Sequence, residues 1–178
     1  DEEKEVNSAE DALAGARDII AEDISDSADY RREIRAITWR AGSITTKQIK
    51  EGSSPYENYY DYTEKLSSIP NHRILAVNRA EKEEYIRVSV TVEPSLILNF
   101  LADKILGSPK SPAYNHVISA ITDSYERLIA PSIERELRSE LFDTASEGAI
   151  KNFSENLRNL IMQPPVKGMT VMGYDPGY

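Results

Sequence analysis

The sequence contains no cysteine. Disulfides and thiolate metal sites are therefore excluded, and a reducing, cytoplasmic home is permitted. No apolar run approaches the ~20 residues that cross a bilayer as a helix, and no secretory leader pattern opens the chain. There is no Gly-rich phosphate loop and no Ser/His/Asp arrangement for nucleophilic catalysis. Histidine is scarce: His72 and His116 are far apart in sequence, and neither belongs to a metal-spaced pair. These absences remove the secreted disulfide scaffolds, membrane-spanning helices, Walker-type nucleotide sites and thiolate zinc sites. No cofactor and no metal are expected.

What is present is a long acidic start and a charge-balanced remainder. Residues 1–30 hold eleven acids against two bases, while the other 148 residues hold 19 of each, so the net charge of -9 belongs to one end. The plain reading is a solvated face with a frayed tail over 1–7; the sharper one is a negative surface that docks on a basic neighbour. At 178 residues the chain is long enough to bury about 70% of its unfolded surface.

Helical periodicity dominates. Ser8 with Asp11 three residues on forms a weak capping box before Ala12, Leu13, Ala16, Ile19 and Ile20, which repeat at helical spacing. A second helix begins near Ser25 or Ser27, carries Tyr30, Ile34 and Ile37, and stops at Gly42. Ser43–Lys50 suits a strand, and Tyr85–Val92 alternates with Ile86, Val88, Val90 and Val92 on one face, so the two are expected to pair. Tyr56–Ile69 is expected to be helical in part. Pro70 and Pro94 each stand where a helix opens. After Pro112–Ala130 comes a stripe at spacing four: Ile133, Leu137, Leu141, Ala145, Ala149, Phe153, Leu157 and Ile161. Unbroken, 131–162 would span ~48 Å, more than an ordinary globular helix, which suits a connector. Pro131 is expected to restart or kink the helix and Gly148 to bend it; Pro164-Pro165 ends it. The expected fold is mainly α: a helical scaffold over 8–162 with a long C-terminal helix and a small antiparallel two-stranded β element. A linker over 163–168 follows, and then a new beginning at 169–178.

The terminal Val171-Met172-Gly173-Tyr174-Asp175-Pro176-Gly177-Tyr178 reads as a strand entering a tight turn. Together with a first residue that is not Met, it suggests a piece of a longer polypeptide, although processing also accounts for such a start.

Three segments carry a resemblance through their order and spacing. They are Ile69-Pro70-Asn71-His72-Arg73-Ile74-Leu75-Ala76-Val77-Asn78-Arg79, then Pro131-Ser132-Ile133-Glu134-Arg135-Glu136-Leu137-Arg138-Ser139-Glu140-Leu141. The third runs from Ala149-Ile150-Lys151 through Pro164-Pro165 to Asp175-Pro176-Gly177-Tyr178. From about Ala9 to Tyr178 the chain resembles the central region of Tex-type transcription accessory proteins. It departs from the family at Ala80, where Gly is frequent, and at Tyr174, where Leu is frequent.

The resemblance implies a helical region leading into the first strand of a YqgF domain of RNase H-like fold, at 169–178. Helix-hairpin-helix motifs and an OB-fold RNA-binding domain would follow beyond this chain. It implies a non-catalytic scaffold segment of a nucleic-acid-binding parent. RNA, and also DNA, would be met through that parent together with the transcription machinery, with no membrane partner and a cytoplasmic location. In such a segment the nucleic-acid-binding candidates are His72, Arg73, Arg79 and Lys82, joined by the tyrosines at 56, 59, 60 and 62 if their rings stack on bases. The bland alternatives are stronger for several of them: His72 as a helix cap, the tyrosines as helix packing, and Arg31, Arg32 and Arg35 as a salt-bridged face. Direct contact by Arg73, Arg79 and Lys82 requires folding to segregate a basic stripe that the linear sequence does not display. Asp175 matches the first-strand carboxylate position of RNase H-like nucleases, where two metal ions clamp a phosphate. One carboxylate cannot hold two metals, and Asp-Pro-Gly is an ordinary turn, so no catalytic residue is expected.

Overall fold

The computed structural model describes residues 8–164 and 167–177; the expected frayed tail at 1–7 lies outside them. The elements run α1 (Ala9–Asp26), α2 (Ala28–Ala41), β1 (Ser43–Gln48), β2 (Thr63–Lys65), α3 (Asn71–Lys82), β3 (Ile86–Thr91), α4 (Pro94–Ile105), α5 (Tyr114–Asp123) and α6 (Ala130–Ile161). Local chemistry sets most boundaries. Ser8 and Asp11 form the reciprocal capping box of α1, Ser27 caps α2, and Pro94 opens α4 in its first turn.

Gly42 ends α2 with an ordinary φ of -81°. Its reason is close approach, because a Cβ there would lie 2.4 Å from the Thr38 carbonyl oxygen and 3.0 Å from Leu66 Cδ1. At the end of α3, Glu84 takes the left-handed conformation (φ 62°) and Tyr85 N–H returns to the Ala80 carbonyl at 2.9 Å. Ala80 itself is buried inside α3.

The sheet has three antiparallel strands in the order β2-β1-β3, where two were expected. Ser43 pairs with Thr91 and Gln48 with Ile86, and on its other edge β1 pairs with Thr63–Lys65. Tyr56–Ile69, expected to be helical in part, winds only in a single 3-10 turn at Glu57–Tyr59 and then gives β2. Thr46 explains the difference: its buried hydroxyl donates to the Tyr59 carbonyl and accepts from Tyr62 N–H, fastening the segment along β1.

The outer edge of β3 is closed by side chains of two helices. Glu81 of α3 accepts from Val88 N–H at 3.1 Å. From α6, Glu134 accepts from Val90 N–H at 3.1 Å and Arg138 donates to the Val88 carbonyl at 3.2 Å. An edge that would otherwise invite another strand is thereby satisfied.

The core gathers Ile34, Leu66, Ile74, Ile86, Ile97, Leu101, Ile129 and Leu137 from α2, the sheet side, α3, α4 and α6, all essentially without exposure. Helix α1 forms where its spacing predicts it, but its stripe is only partly covered. Ile20 is half-buried against the core, Leu13 and Ala16, though exposed, border Val117 of α5, and Ala12 and Ile19 are exposed; the helix buries Ala21, Ile24 and Ser25 near its C-terminal end. There it meets the segment after α5, where Ser124 donates to the Ala21 carbonyl at 2.7 Å, a contact that two small residues permit.

Residues Ser124–Ile129 wind as a π-helix, so α5 passes into α6 without a break. Proline at 131 has no N–H and its ring crowds the carbonyl four residues back; a widened turn just upstream relieves both. Helix α6 has 32 residues and spans ~48 Å. It does not break at Gly148, which instead lets the Asn71 side chain approach to 2.8 Å of where a Cβ would stand. Residues 167–177 contain no strand, and a strand needs a hydrogen-bonded neighbour.

Candidate nucleic-acid interface

Helices α3 and α6 pack antiparallel, as two contacts show. Asn71 at the start of α3 lies beside Gly148, and Glu81 near its end is bonded to Arg138. Their facing stripes follow helical spacing, with Leu75, Asn78, Arg79 and Lys82 on α3 and Glu134, Arg135, Arg138, Ser139 and Phe142 on α6. Over the seam lie two adjoining recesses of about 740 and 460 Å³ that share Asn78 and Phe142.

The four sequence candidates separate. Arg79 and Lys82 are exposed and wall the larger recess. His72 is exposed in the first turn of α3. Arg73 is occupied elsewhere: its Nη1 donates to both oxygens of Glu64, at 2.9 and 3.0 Å, and to the Tyr62 hydroxyl at 3.1 Å. The Tyr62 hydroxyl also donates to Glu64. That bond first, and Arg73 after it, hold the Glu64 carboxyl below the ordinary carboxylate range, while burial and then Glu64 push the Tyr62 phenol up. Arg73 is thus a bolt between α3 and β2.

The tyrosines pack on each other and on carboxylates. The Tyr56 and Tyr85 rings lie 5.5 Å apart, Tyr59 and Tyr62 meet edge-on at 5.7 Å, and Tyr56 donates to Glu83 at 2.9 Å. The hydroxyls of Tyr56, Tyr60 and Tyr62 each bond to a side chain, of Glu83, Ser54 and Glu64. The basic run of α2 is bridged, as expected, but mostly across helices. Arg32 pairs with Asp29 at 2.8 Å, whereas Arg35 reaches Glu136 and Glu140 on α6.

The residues that sequence reasoning missed are Asn78 and, on α6, Arg135, Arg138 and Phe142. Their signal is the i, i+3, i+4, i+7 spacing of polar residues beside the apolar stripe, legible only once α3 is known to lie alongside. Arg138 is the floor of the groove, held by Glu81 and the Val88 carbonyl. Among the described residues, the side chains of Arg79, Lys82 and Arg135 make no hydrogen bond or ion pair.

The Asp175 carboxylate accepts from Gly177 N–H at 3.0 Å and closes the Asp-Pro-Gly turn. Among the described residues no group of three or more His, Asp or Glu is arranged to hold a metal ion, and no helix is long and apolar enough to cross a membrane.

Comparison with known proteins places this geometry in a family. YdcI of Bacillus subtilis is 43% identical over 99% of the chain, which covers 25% of that protein. The transcriptional accessory protein Tex of Neisseria gonorrhoeae is 27% identical over 96% of the chain and 24% of its own length. The human S1 RNA-binding domain-containing protein 1 is 28% identical over 98% of the chain and 19% of its length. The chain thus spans about a quarter or less of the curated relatives it matches. A family model described as Tex central region-like matches residues 1–153, and the chain belongs to that family.

Proposed function

We propose that this chain is a non-catalytic scaffold segment of a longer, nucleic-acid-binding transcription accessory protein, with α6 as a strut between parts of that protein. The observation that carries this reading is the division of α6. Ile133, Leu137, Leu141 and Ala145 are buried on the body, while Phe153 (68% exposed), Leu157 (41%) and Ile161 (71%) continue the same stripe beyond it. A stripe left bare on a rigid helix suits a further packed part of the parent.

The names of the relatives support the wider setting, since one is called a transcriptional accessory protein and another is named for an S1 RNA-binding domain. On this reading residues 163–168 are a linker and 169–178 the first strand of an RNase H-like YqgF domain whose remaining strands belong to the parent. Asp175 is then a turn residue with no catalytic duty. The parent works in the cytoplasm and binds RNA, and also DNA, in contact with the transcription machinery.

The strut is tested by distance. The chain has no cysteine, so Asp143→Cys with Asn159→Cys gives two unique spin-label sites. A continuous helix separates them by about 24 Å with a narrow distribution. A broad or shorter distribution in the 178-residue chain would sink the strut.

A further inference from the structure

We propose that the groove between α3 and α6 binds single-stranded nucleic acid, with Arg79, Lys82 and Arg135 on the phosphates and Phe142 stacked on a base. Three observations carry it. The first is shape: the two recesses adjoin at Asn78 and Phe142, one walled mainly by α6 and the other by α3, which makes a continuous surface for a strand to cross. Two helices in contact, with axes about 8–10 Å apart, leave a seam far narrower than a duplex groove pair.

The second is charge. The chain carries -9, yet the groove is lined by four cations against the two carboxylates Glu83 and Glu134. Both carboxylates are engaged, Glu83 by the Tyr56 hydroxyl and Glu134 by Val90 N–H. Arg138 is neutralised by Glu81, whereas Arg79, Lys82 and Arg135 face solvent without an ion pair among the described residues. Folding therefore builds from two distant segments the basic stripe that neither displays alone.

The third is Phe142. The core-facing residues of α6 are aliphatic, and its one aromatic on the bolted half stands off that face, 43% exposed between the recesses. An exposed ring among cations is what a nucleobase stacks on. Beside it, Asn78 donates its amide to the Ile74 carbonyl, which leaves its Oδ1 free to accept from a base amino group.

The inference is independent of the strut: a broken distance in α6 with intact binding removes only the strut. The test is a fluorescence-anisotropy titration of the 178-residue chain with short labelled single-stranded RNA and DNA probes over a range of salt. Each phosphate contact on a single strand contributes about 0.7 to the slope of log K against log salt, so Arg79→Gln/Lys82→Gln/Arg135→Gln lowers that slope by about 2. Phe142→Leu weakens binding roughly tenfold and leaves the slope unchanged. Lys104→Gln/Lys110→Gln, remote in sequence from both walls, changes neither.

Circular dichroism checks that the variants fold; if the triple variant does not, Phe142→Leu carries the test alone. An unaltered slope in a folded triple variant, or unaltered affinity in Phe142→Leu, overturns the proposal. So does a polyglutamate peptide that outcompetes the oligonucleotides, which would assign the groove to an acidic protein segment. Preference between the RNA and DNA probes identifies the source of the strand.

Discussion

The two halves of α6 carry the same pattern and meet different fates. Ile133, Leu137, Leu141 and Ala145 follow one another at intervals of four, and so do Ala149, Phe153, Leu157 and Ile161. The first set is buried under α2, α3 and β3; the last three of the second set stand exposed. Periodicity announces which face of a helix wants cover. It says nothing about whether the cover lies in the same 178 residues. The difference teaches that an amphipathic stripe is a statement about the intact molecule, while burial describes only the parts at hand.

The comparison breaks or holds most visibly under truncation of matched leucines. Leu137→Ala in the bolted half should cost about 2–5 kcal/mol, as large-to-small core changes do. Leu157→Ala, about five and a half turns further along the same spacing-four row, should stay within about 0.5 kcal/mol for this chain. Urea denaturation reads both. Comparable losses at the two positions would mean that the distal half is packed after all.

Glycines sharpen the same contrast at a smaller scale. Gly42→Ala drives a Cβ against the Thr38 and Thr91 carbonyls and Leu66, all fixed by the sheet and core, and should cost about 1–3 kcal/mol. Gly148→Ala, where the bolted half gives way to the bare one, meets only the tip of the exposed Asn71 side chain, which can swing aside. It should be neutral or stabilise by up to about 1 kcal/mol, the helix propensity difference. Thermal melts should show a fall for Gly42→Ala and no fall for Gly148→Ala.

How much of this was legible beforehand depends on the range of the interaction. Ser8, Ser27, Pro70 and Pro94 act on neighbours within a turn, and each stands where the sequence places it. The β1–β3 pairing was also readable, because Ile86, Val88 and Val90 alternate. Thr63–Lys65 was not: three polar residues have no period, and they become a strand only because Thr46 holds the preceding segment. The α1 stripe was only partly legible, because Ile20 packs on the core and Leu13 borders α5, while Ile19 has the same spacing and is 63% exposed. In the candidate site, Arg79 and Lys82 were already named as basic candidates in the sequence, Arg73 proved to be bonded to Glu64, and Arg135 and Phe142 needed the α3–α6 packing.

The smallest expected effect concerns that bonded arginine. Glu64 has its pKa lowered in the fold by the Tyr62 hydroxyl and Arg73, so the folded state takes up its proton less readily than the unfolded chain. Its contribution is present at neutral pH, above the unfolded value, and is lost as pH falls through the depressed folded value. Glu64→Gln should remove about 0.5–1 kcal/mol at neutral pH and progressively less in acid. Denaturation at a series of pH values checks this, and a constant difference down to strong acid would discount the bond.

The closed edge of β3 has a consequence in time. Glu81 precedes the strand, but the other two caps come from residues 44 and 50 positions further along the chain, Glu134 for Val90 and Arg138 for Val88. At synthesis rates of about 5–20 residues per second, some 50 residues take about 3–10 s to follow. Throughout that interval β3 has emerged while the α6 part of its guard has not. The open strand edge, harmless in the finished protein, is the moment of greatest hazard for a nascent one.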